Sequence, residues 1–152
     1  MWPFSKKPRD LQLLSVDEHE WTVGEATHDG SPLIVRFNQT AKRWDRHPEL
    51  SIKLGFAISL NQPNAGGMPS ADENAELGDI EELIEKEVKS ATVGIHVLTL
   101  TTGLMKELVF YIAPGQDIGK LHGTIREKVP SHEVQCMAAP EPSWDSFRAF
   151  SR

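Results

Sequence analysis

The sequence predicts an α+β fold: a ferredoxin-like β-α-β-β-α-β antiparallel sheet with an additional N-terminal β-hairpin. From residue 51 onward, segments with apolar residues at every second position alternate with two segments whose apolar residues recur every three or four positions. Their order is strand, helix, strand, strand, helix, strand, which is the ferredoxin-like order of elements. With 152 residues, of which 39% are apolar, the chain is long enough to bury one core without disulfides.

The first strand and helix of this unit follow from a change in periodicity. Residues 51–60 alternate between apolar and small or polar side chains, which is typical of a half-buried strand. A loop rich in proline and glycine follows at residues 61–69. Ser70 and Glu73 then match the S-x-x-E capping box, in which each side chain bonds the other residue's backbone N–H. The apolar stripe beyond them predicts an amphipathic helix reaching residue 91.

The remaining elements repeat this alternation. Residues 92–100 and 105–112 flank a glycine turn and predict a hairpin. A second helical stripe begins after Asp117, the predicted N-cap, and ends before Pro130. Residues 134–138 alternate as a last strand.

Ahead of this unit, two more strands at residues 21–27 and 33–38 form the predicted N-terminal hairpin. We therefore expect a single α+β domain at residues 21–152, preceded by a flexible segment at residues 1–20. The first ten residues combine basic and aromatic side chains with two prolines, and we expect a frayed, solvated terminus rather than a membrane-binding helix.

Charge and composition limit the classes of function. The chain carries 22 acidic and 16 basic residues, a formal net charge of −6, which makes nucleic acid an unlikely partner. Residues 72–87 alone hold eight acids and one base, so the remainder is nearly neutral, with basic patches at residues 6–9 and 42–46. The single cysteine excludes an internal disulfide and a Cys-rich zinc site. No secretory signal and no run near 18 apolar residues occurs, which predicts a cytoplasmic protein without a membrane span.

The motifs that would carry chemistry are incomplete. Residues 115–120 lie where a phosphate loop belongs, but the glycine spacing and the residue after Lys120 are wrong, so a helix cap is the better interpretation. The six histidines form no metal-binding pair and are predicted to lie at the surface or at sheet edges. Cys136 alternates in phase with the last strand, where a small apolar filler is expected. We predict no catalytic, cofactor-binding or metal-ligating residue, and no cofactor.

His96 is the exception among the histidines. Strict alternation places it on the strand face of Leu98 and Leu100, and places Thr99 on the opposite face with Val97. We expect a partly buried imidazole whose hydrogen bonds are satisfied.

Two features favour binding over catalysis. One is the predicted loop at residues 42–47, which combines basic residues with a tryptophan, a composition enriched at interaction surfaces. The other is the acidic helix at residues 72–87. The alternative for Trp44 is that it packs down as a loop anchor. The predicted interaction surface consists of Arg43, Trp44, Arg46, His47, Asp79, Glu82 and Glu85.

Short motifs along the chain, taken in order, resemble those of a bacterial family of domains of unknown function, the one numbered six-nine-five (DUF six-nine-five). The resemblance covers about residues 21–150. Its landmarks are Trp21, Asp29-Gly30 with Pro32, Asn38, His47-Pro48-Glu49-Leu50, Gly67-Met68-Pro69, Ile80-Glu81, Thr101-Thr102-Gly103, Phe110-Tyr111 and Pro142-Ser143-Trp144. The resemblance implies a small bacterial cytoplasmic protein without an established activity. Such domains are sometimes joined to one similar to the regulator B of ribonuclease E, an acidic protein inhibitor, which implies a protein-binding, regulatory role.

Three hypotheses of function follow. The first is a non-enzymatic protein-binding or regulatory module that uses the acidic helix, with a protein partner of unknown identity. The second is a small-ligand binder or enzyme whose site assembles from loops around Asn38, His47, Glu81 and Tyr111. The third is a toxin-neutralising, immunity-like protein. A homodimer through sheet edges or faces is compatible with each of them.

Overall fold

The computed structural model describes residues 7–151, so the prediction for the first six residues lies outside it. Six strands, three α-helices and two short 3₁₀-helices make up this part of the chain. The strands are β1 (Trp21–His28), β2 (Ser31–Asn38), β3 (Ile52–Ser59), β4 (Gly94–Thr101), β5 (Met105–Ile112) and β6 (Val134–Pro140). The helices are α1 (Ala71–Ala91), α2 (Ile118–Lys128) and α3 (Asp145–Arg148), with 3₁₀-helices at Leu11–Ser15 and Gln39–Trp44.

All six strands join one antiparallel sheet in the order β1-β2-β4-β5-β3-β6. The predicted N-terminal hairpin is β1 and β2, and it extends the sheet beside β4. This leaves β1 and β6 as the two edge strands. The prediction of an α+β protein with an antiparallel sheet is confirmed.

The first hydrophobic core lies between one face of the sheet and helices α1 and α2. Alternate residues of β3 and β5 supply the sheet side, because side chains two positions apart point the same way. Leu77, Ile84 and Val88 of α1 pack on them, together with Leu121 and Ile125 of α2. We refer to this side as the helix face.

The second hydrophobic core lies on the opposite face of the sheet, which we call the tail face. Trp144 and Phe147 from the C-terminal segment are buried there, and the ring of Trp144 stacks on Tyr111 at 4.1 Å between centroids. Trp44, at the end of the second 3₁₀-helix, belongs to the same core. The short helix α3 thus places Phe147 in this core.

The N-terminal segment contacts this second core through polar groups. The Asp17 carboxylate accepts a hydrogen bond from the indole Nε1 of Trp44 at 3.0 Å and lies 2.9 Å from the Arg9 guanidinium. Burial by itself raises the pKa of Asp17, but the hydrogen bonds from Trp44 and Arg9 outweigh it, and the pKa is lowered. Asp17 therefore ties the N-terminal segment to the loop after β2.

A β-bulge in β4 changes which side chains share a face. His96 pairs with Phe110 and Leu98 pairs with Val109, so Val97 is an extra residue. Thr99 consequently lies on the helix face with His96, while Leu98 belongs to the core of the tail face. The predicted faces of Thr99 and Leu98 are wrong because strict alternation does not survive the inserted residue.

The start of α1 differs from the predicted capping box in one half. Ser70 Oγ accepts from the backbone N–H of Glu73, as predicted. The Glu73 carboxylate does not return to Ser70. It accepts instead from the backbone N–H groups of Asn61 and Gln62 and lies 2.8 Å from Nε2 of His132. Glu73 therefore joins the start of α1 to two loops, the one after β3 and the one before β6, and the reciprocal bond of the capping box is absent.

Candidate functional site

A group of acidic and basic side chains lies where α1 meets the strands of the helix face. Helix α1 contributes Glu81 and Glu85, one turn apart and therefore on the same side of the helix. The strands contribute Arg36 from β2, His96 from β4 and Lys106 from β5. We call these five residues the junction cluster.

Glu81 is the centre of the junction cluster. Its Oε2 accepts a hydrogen bond from Arg36 at 2.7 Å, and its Oε1 lies 2.7 Å from Nζ of Lys106. Both Glu81 and Lys106 are buried. Burial alone would raise the pKa of the Glu81 carboxyl, but Lys106 and Arg36 together hold it below its usual range. Glu81 is therefore an ionised carboxylate neutralised from two sides.

Glu85 and His96 form the second half of the cluster. Nδ1 of His96 lies 2.7 Å from Oε1 of Glu85, while Nε2 lies 2.9 Å from the Leu98 carbonyl and 3.1 Å from the Thr99 hydroxyl. Contacts that run from a carboxylate to an imidazole and on to a hydroxyl also occur in the catalytic triad of hydrolases. Here, however, Nε2 is already directed at a carbonyl oxygen, and Thr99 is only 1% exposed. The chain of contacts satisfies a buried imidazole, which confirms the prediction for His96.

Aromatic rings contact two members of the cluster, Arg36 and His96. The Arg36 guanidinium lies 5.0 Å from the ring centroid of Trp21, a cation–π contact. The Trp21 ring also meets His96 edge-on at 4.9 Å, and the His96 ring stacks on Phe110 at 4.5 Å between centroids. Nearby, partial burial lowers the pKa of His19, whose Nδ1 accepts from Asn38. These contacts fix the orientation of Arg36 and His96.

Three groups of the cluster have the spacing of metal ligands. One ligand atom each from Glu81, Glu85 and His96 lie within 4.8 Å of one another. Lys106 and Arg36 already neutralise the Glu81 carboxylate, and a divalent ion there would lie beside two fixed positive charges. The charge arrangement therefore fits a closed ion-pair network better than a metal site.

The residues of the predicted interaction surface fall into two groups. Trp44 and His47 are 1% and 4% exposed, and Nε2 of His47 lies 2.7 Å from the Arg9 carbonyl, so neither side chain offers surface to a partner. Arg43 and Arg46 on the same loop are exposed. Trp44 is buried in the second core and donates to Asp17, which is the position expected of a loop anchor.

The acidic part of the predicted surface is also divided. Asp79 and Glu82 are exposed on α1, whereas Glu85 is half-buried and bound to His96. This division holds for all the acids of the helix. The inward acids, each with an internal partner, are Glu73, Glu81, Glu85 and Glu87. The outward acids, exposed and without an ion pair or side-chain hydrogen bond to any residue among 7–151, are Asp72, Glu76, Asp79 and Glu82.

The four residues of the predicted loop-assembled site do not form one site. Asn38 and Glu81 lie on the helix face, where Asn38 donates to the His96 carbonyl and Glu81 binds the two cations. On the tail side, the Tyr111 hydroxyl bonds to Glu141, and burial raises the pKa of Tyr111. Within residues 7–151 no hydrogen bond joins any two of the four.

Sequence reasoning missed Arg36, Lys106 and His132 as members of buried polar contacts. The signal for Lys106 was present, because it is in phase with the apolar residues Leu108 and Phe110 of the same strand. A cation on an apolar strand face requires a buried partner. His132 carries no such pattern, and its burial against Glu73 contradicts the prediction of surface histidines.

Comparison with known proteins identifies the family and nothing closer. Searches among curated proteins and among solved structures yield no match. Within residues 7–151, no helix combines the length and the apolar character needed to cross a membrane. The family model described as "Family of unknown function (DUF695)" matches residues 19–151, nearly the whole chain. The chain therefore belongs to the family of unknown function DUF695.

Proposed function

We propose that the protein is a non-enzymatic binding or regulatory module that presents the outward acids of α1 to a basic surface of a protein partner. The observation that carries this proposal is the division of the eight acids of α1. All four inward acids are neutralised or hydrogen-bonded within the fold, and all four outward acids are left without a partner among residues 7–151.

The outward acids occupy one strip of the helix. Asp72, Glu76, Asp79 and Glu82 follow one another at steps of four, three and three residues, and 3.6 residues complete a turn. The strip therefore extends over about three turns with one sign of charge. Such a field accelerates the encounter with a basic partner and selects its orientation.

The junction cluster supports a binding role rather than catalysis. A catalytic acid or base must reach a substrate in the protonation state that the reaction needs. Glu81 and Lys106 are buried and paired with each other, and His96 is buried between Glu85 and a backbone carbonyl. These groups hold α1 on the sheet, which keeps the outward acids in a fixed orientation.

The proposal is tested by affinity capture from a bacterial extract with two matched variants. The first, the outward variant, carries Asp72→Asn, Glu76→Gln, Asp79→Asn and Glu82→Gln. The control variant carries Glu→Gln at the exposed residues Glu20, Glu25, Glu127 and Glu133, so that both variants lose the same charge.

We expect wild type and the control variant to retain a shared protein that high salt releases and that the outward variant fails to retain. Retention of the same proteins by all three chains, or retention that salt does not weaken, would contradict the proposal. Circular dichroism spectra of the three chains serve to show that each is folded.

We further propose a ferredoxin-like classification for the unit from β3 to β6. Its support is the spatial order β6-β3-β5-β4, in which the two strands connected through each helix flank a third, antiparallel strand. A bacterial cytoplasmic setting and association with domains like the regulator B of ribonuclease E complete the proposal. They rest on the sequence and on the family resemblance.

A further inference from the structure

The two edge strands of the sheet differ in how well they are protected against pairing with another chain. In β6, the Val134 carbonyl accepts a hydrogen bond from Nε2 of His122, and Pro140 has no N–H to donate. Proline and covering side chains are common protections of an edge strand, as are lysines and bulges. β1 contains no proline, no lysine and no bulge, and it pairs regularly with β2 from Trp21 to His28.

The outer backbone groups of β1 come from every second residue. In an antiparallel pair, alternate residues bond to the partner strand, and the N–H and C=O of the residues between them point away from it. The carbonyl of Glu20 accepts from the N–H of Gln39 on the β2 side, which fixes the phase along β1. The residues whose backbone groups point outward are therefore Trp21, Val23, Glu25 and Thr27. Nothing in the part of the chain that the structure describes bonds to these groups.

Neither face of β1 is covered by the layers that bury the rest of the sheet. Seven of its eight residues are exposed, and the side chain of Val23 is 68% exposed. The two hydrophobic cores contain residues of β2 and of the strands beyond it, but none of β1. Another strand can therefore lie alongside the outer edge of β1 without meeting the helices or the C-terminal segment.

The outward residues of β1 are placed symmetrically about Gly24. A two-fold axis normal to the sheet at Gly24 brings β1 of a second copy alongside in the antiparallel direction. Val23 then lies opposite Glu25 of the other copy, and Trp21 lies opposite Thr27 of the other copy. This register pairs every outward residue of both strands, and no shifted register does so. The edge is thus complementary to itself, as an isologous interface requires.

The same register is compatible with the charge of Glu25. It places Glu25 directly opposite Val23 of the other copy rather than opposite Glu25. On that copy, Arg36 of β2 is the cross-strand partner of Val23 and lies on the same face of the sheet. A basic residue therefore follows one strand beyond the position that Glu25 faces.

We propose that the protein forms a two-fold homodimer in which the outer edges of two β1 strands pair about Gly24, so that the two sheets become one continuous sheet. Because the axis is normal to the sheet, the covering layers of the two copies lie side by side, with the two uncovered β1 strands between them. Both α1 helices then lie on the same side of the continuous sheet. The dimer contact itself does not involve the outward acids.

Sedimentation velocity across a concentration series tests the proposal at Val23. Val23→Glu places a like charge opposite Glu25 in both halves of the contact, and we expect it to weaken dimerisation by about fivefold or more. Val23→Lys places an opposite charge there, and we expect it to dimerise at least as tightly as wild type. Met137→Glu and Met137→Lys, at an exposed apolar position of β6, are the matched controls and leave the dimer unchanged. Loss of the dimer in a Met137 variant would place the contact at the other edge and overturn the proposal.

A disulfide locates the axis independently. In the proposed register the two Gly24 Cα atoms form a non-hydrogen-bonded pair about 4.5 Å apart, which is within the range of a disulfide. Gly24→Cys on a Cys136→Ala background is therefore expected to give a covalent dimer on oxidation. Ala26→Cys on the same background faces Thr22 of the other copy and is expected not to. A monomeric wild type, a Val23→Glu dimer as tight as wild type, a weakened Val23→Lys dimer, or equal oxidation at positions 24 and 26 would each contradict the proposal.

Discussion

The inward and outward sides of α1 carry the same kind of residue in opposite circumstances. On the inward side, Glu73, Glu81, Glu85 and Glu87 each meet a partner from another part of the chain. On the outward side, Asp72, Glu76, Asp79 and Glu82 meet none among residues 7–151. The difference shows that a count of acids on a helix says little about function until burial separates the acids that stabilise the fold from those that remain free.

Glu81 gives the largest expected effect on the inward side. Glu81→Gln removes the charge that neutralises both Arg36 and the buried Lys106. Leaving a buried charge without its partner costs about 3 kcal/mol of unfolding free energy. Urea unfolding measures it, and Glu82→Gln on the next, exposed position is the control, with an expected change within about 0.5 kcal/mol. Equal losses for the two variants would contradict the division of the helix.

Glu73→Gln is expected to give the second largest loss of unfolding free energy. Glu73→Gln weakens the contacts to the backbone N–H groups of Asn61 and Gln62 and to His132. Hydrogen bonds to a charged acceptor are stronger than neutral ones, and we expect a loss of about 2 kcal/mol. The same urea titration applies, with exposed Glu76→Gln as the control. A variant as stable as this control would show that Glu73 does not join the loops.

The pH dependence of stability distinguishes the two sides as well. The pKa values of Glu73 and Glu81 are lowered in the folded chain from an ordinary value of 4.5. In both, burial opposes the shift; hydrogen bonds to Gln62, Asn61 and His132 lower the pKa of Glu73, while Lys106 and Arg36 lower that of Glu81. Their contribution is therefore complete above about pH 4.5 and is lost as the pH falls through the lowered values.

Urea midpoints measured from neutral pH down to pH 3 check this dependence. Glu73→Gln combined with Glu81→Gln is expected to flatten the acid limb relative to wild type, because the two groups that must be protonated are gone. The outward variant is expected to keep the wild-type slope. An acid limb of unchanged slope in the inward double variant would contradict the assignment.

The outward variant gives the smallest effect on stability. Its four side chains contact no partner among residues 7–151, and acids near a helix N-terminus contribute only modestly through the helix dipole. We expect a loss below about 1 kcal/mol for all four substitutions together. A loss as large as that of Glu81→Gln would place these acids among the groups that hold the fold.

Periodicity predicted the elements of the fold well, because half-buried strands have apolar residues at every second position and amphipathic helices have them at every third or fourth. It placed α1 and β5 closely and identified Asp117, which accepts from the Lys120 N–H, as the cap of α2. It failed at β4, because one inserted residue at Val97 reverses every later side chain. The bulge lies within a run of apolar residues that is equally compatible with a regular strand, so the local sequence does not indicate where it occurs.

The contacts of the site were harder to predict than the elements. Glu81 and Lys106 are far apart in the sequence, and their ion pair depends on strand order rather than on local spacing. The acidic helix was visible as a run of charge, but only tertiary structure separates Glu81 from Glu82. One feature of the sequence does point to the site: Lys106 is a charged residue in phase with apolar neighbours on β5, which predicts a buried partner for it.

The location of basic-ligand binding on the folded chain tests most directly whether the outward acids of α1 form the binding surface. Isothermal titration with an oligolysine peptide at low ionic strength compares wild type, the outward variant and the control variant of equal net charge. We expect the outward variant to bind at least about tenfold more weakly than the control variant, a difference of about 1.4 kcal/mol. Equal weakening of the two variants would show that only net charge matters, and would contradict the claim that the outward acids of α1 form the binding surface.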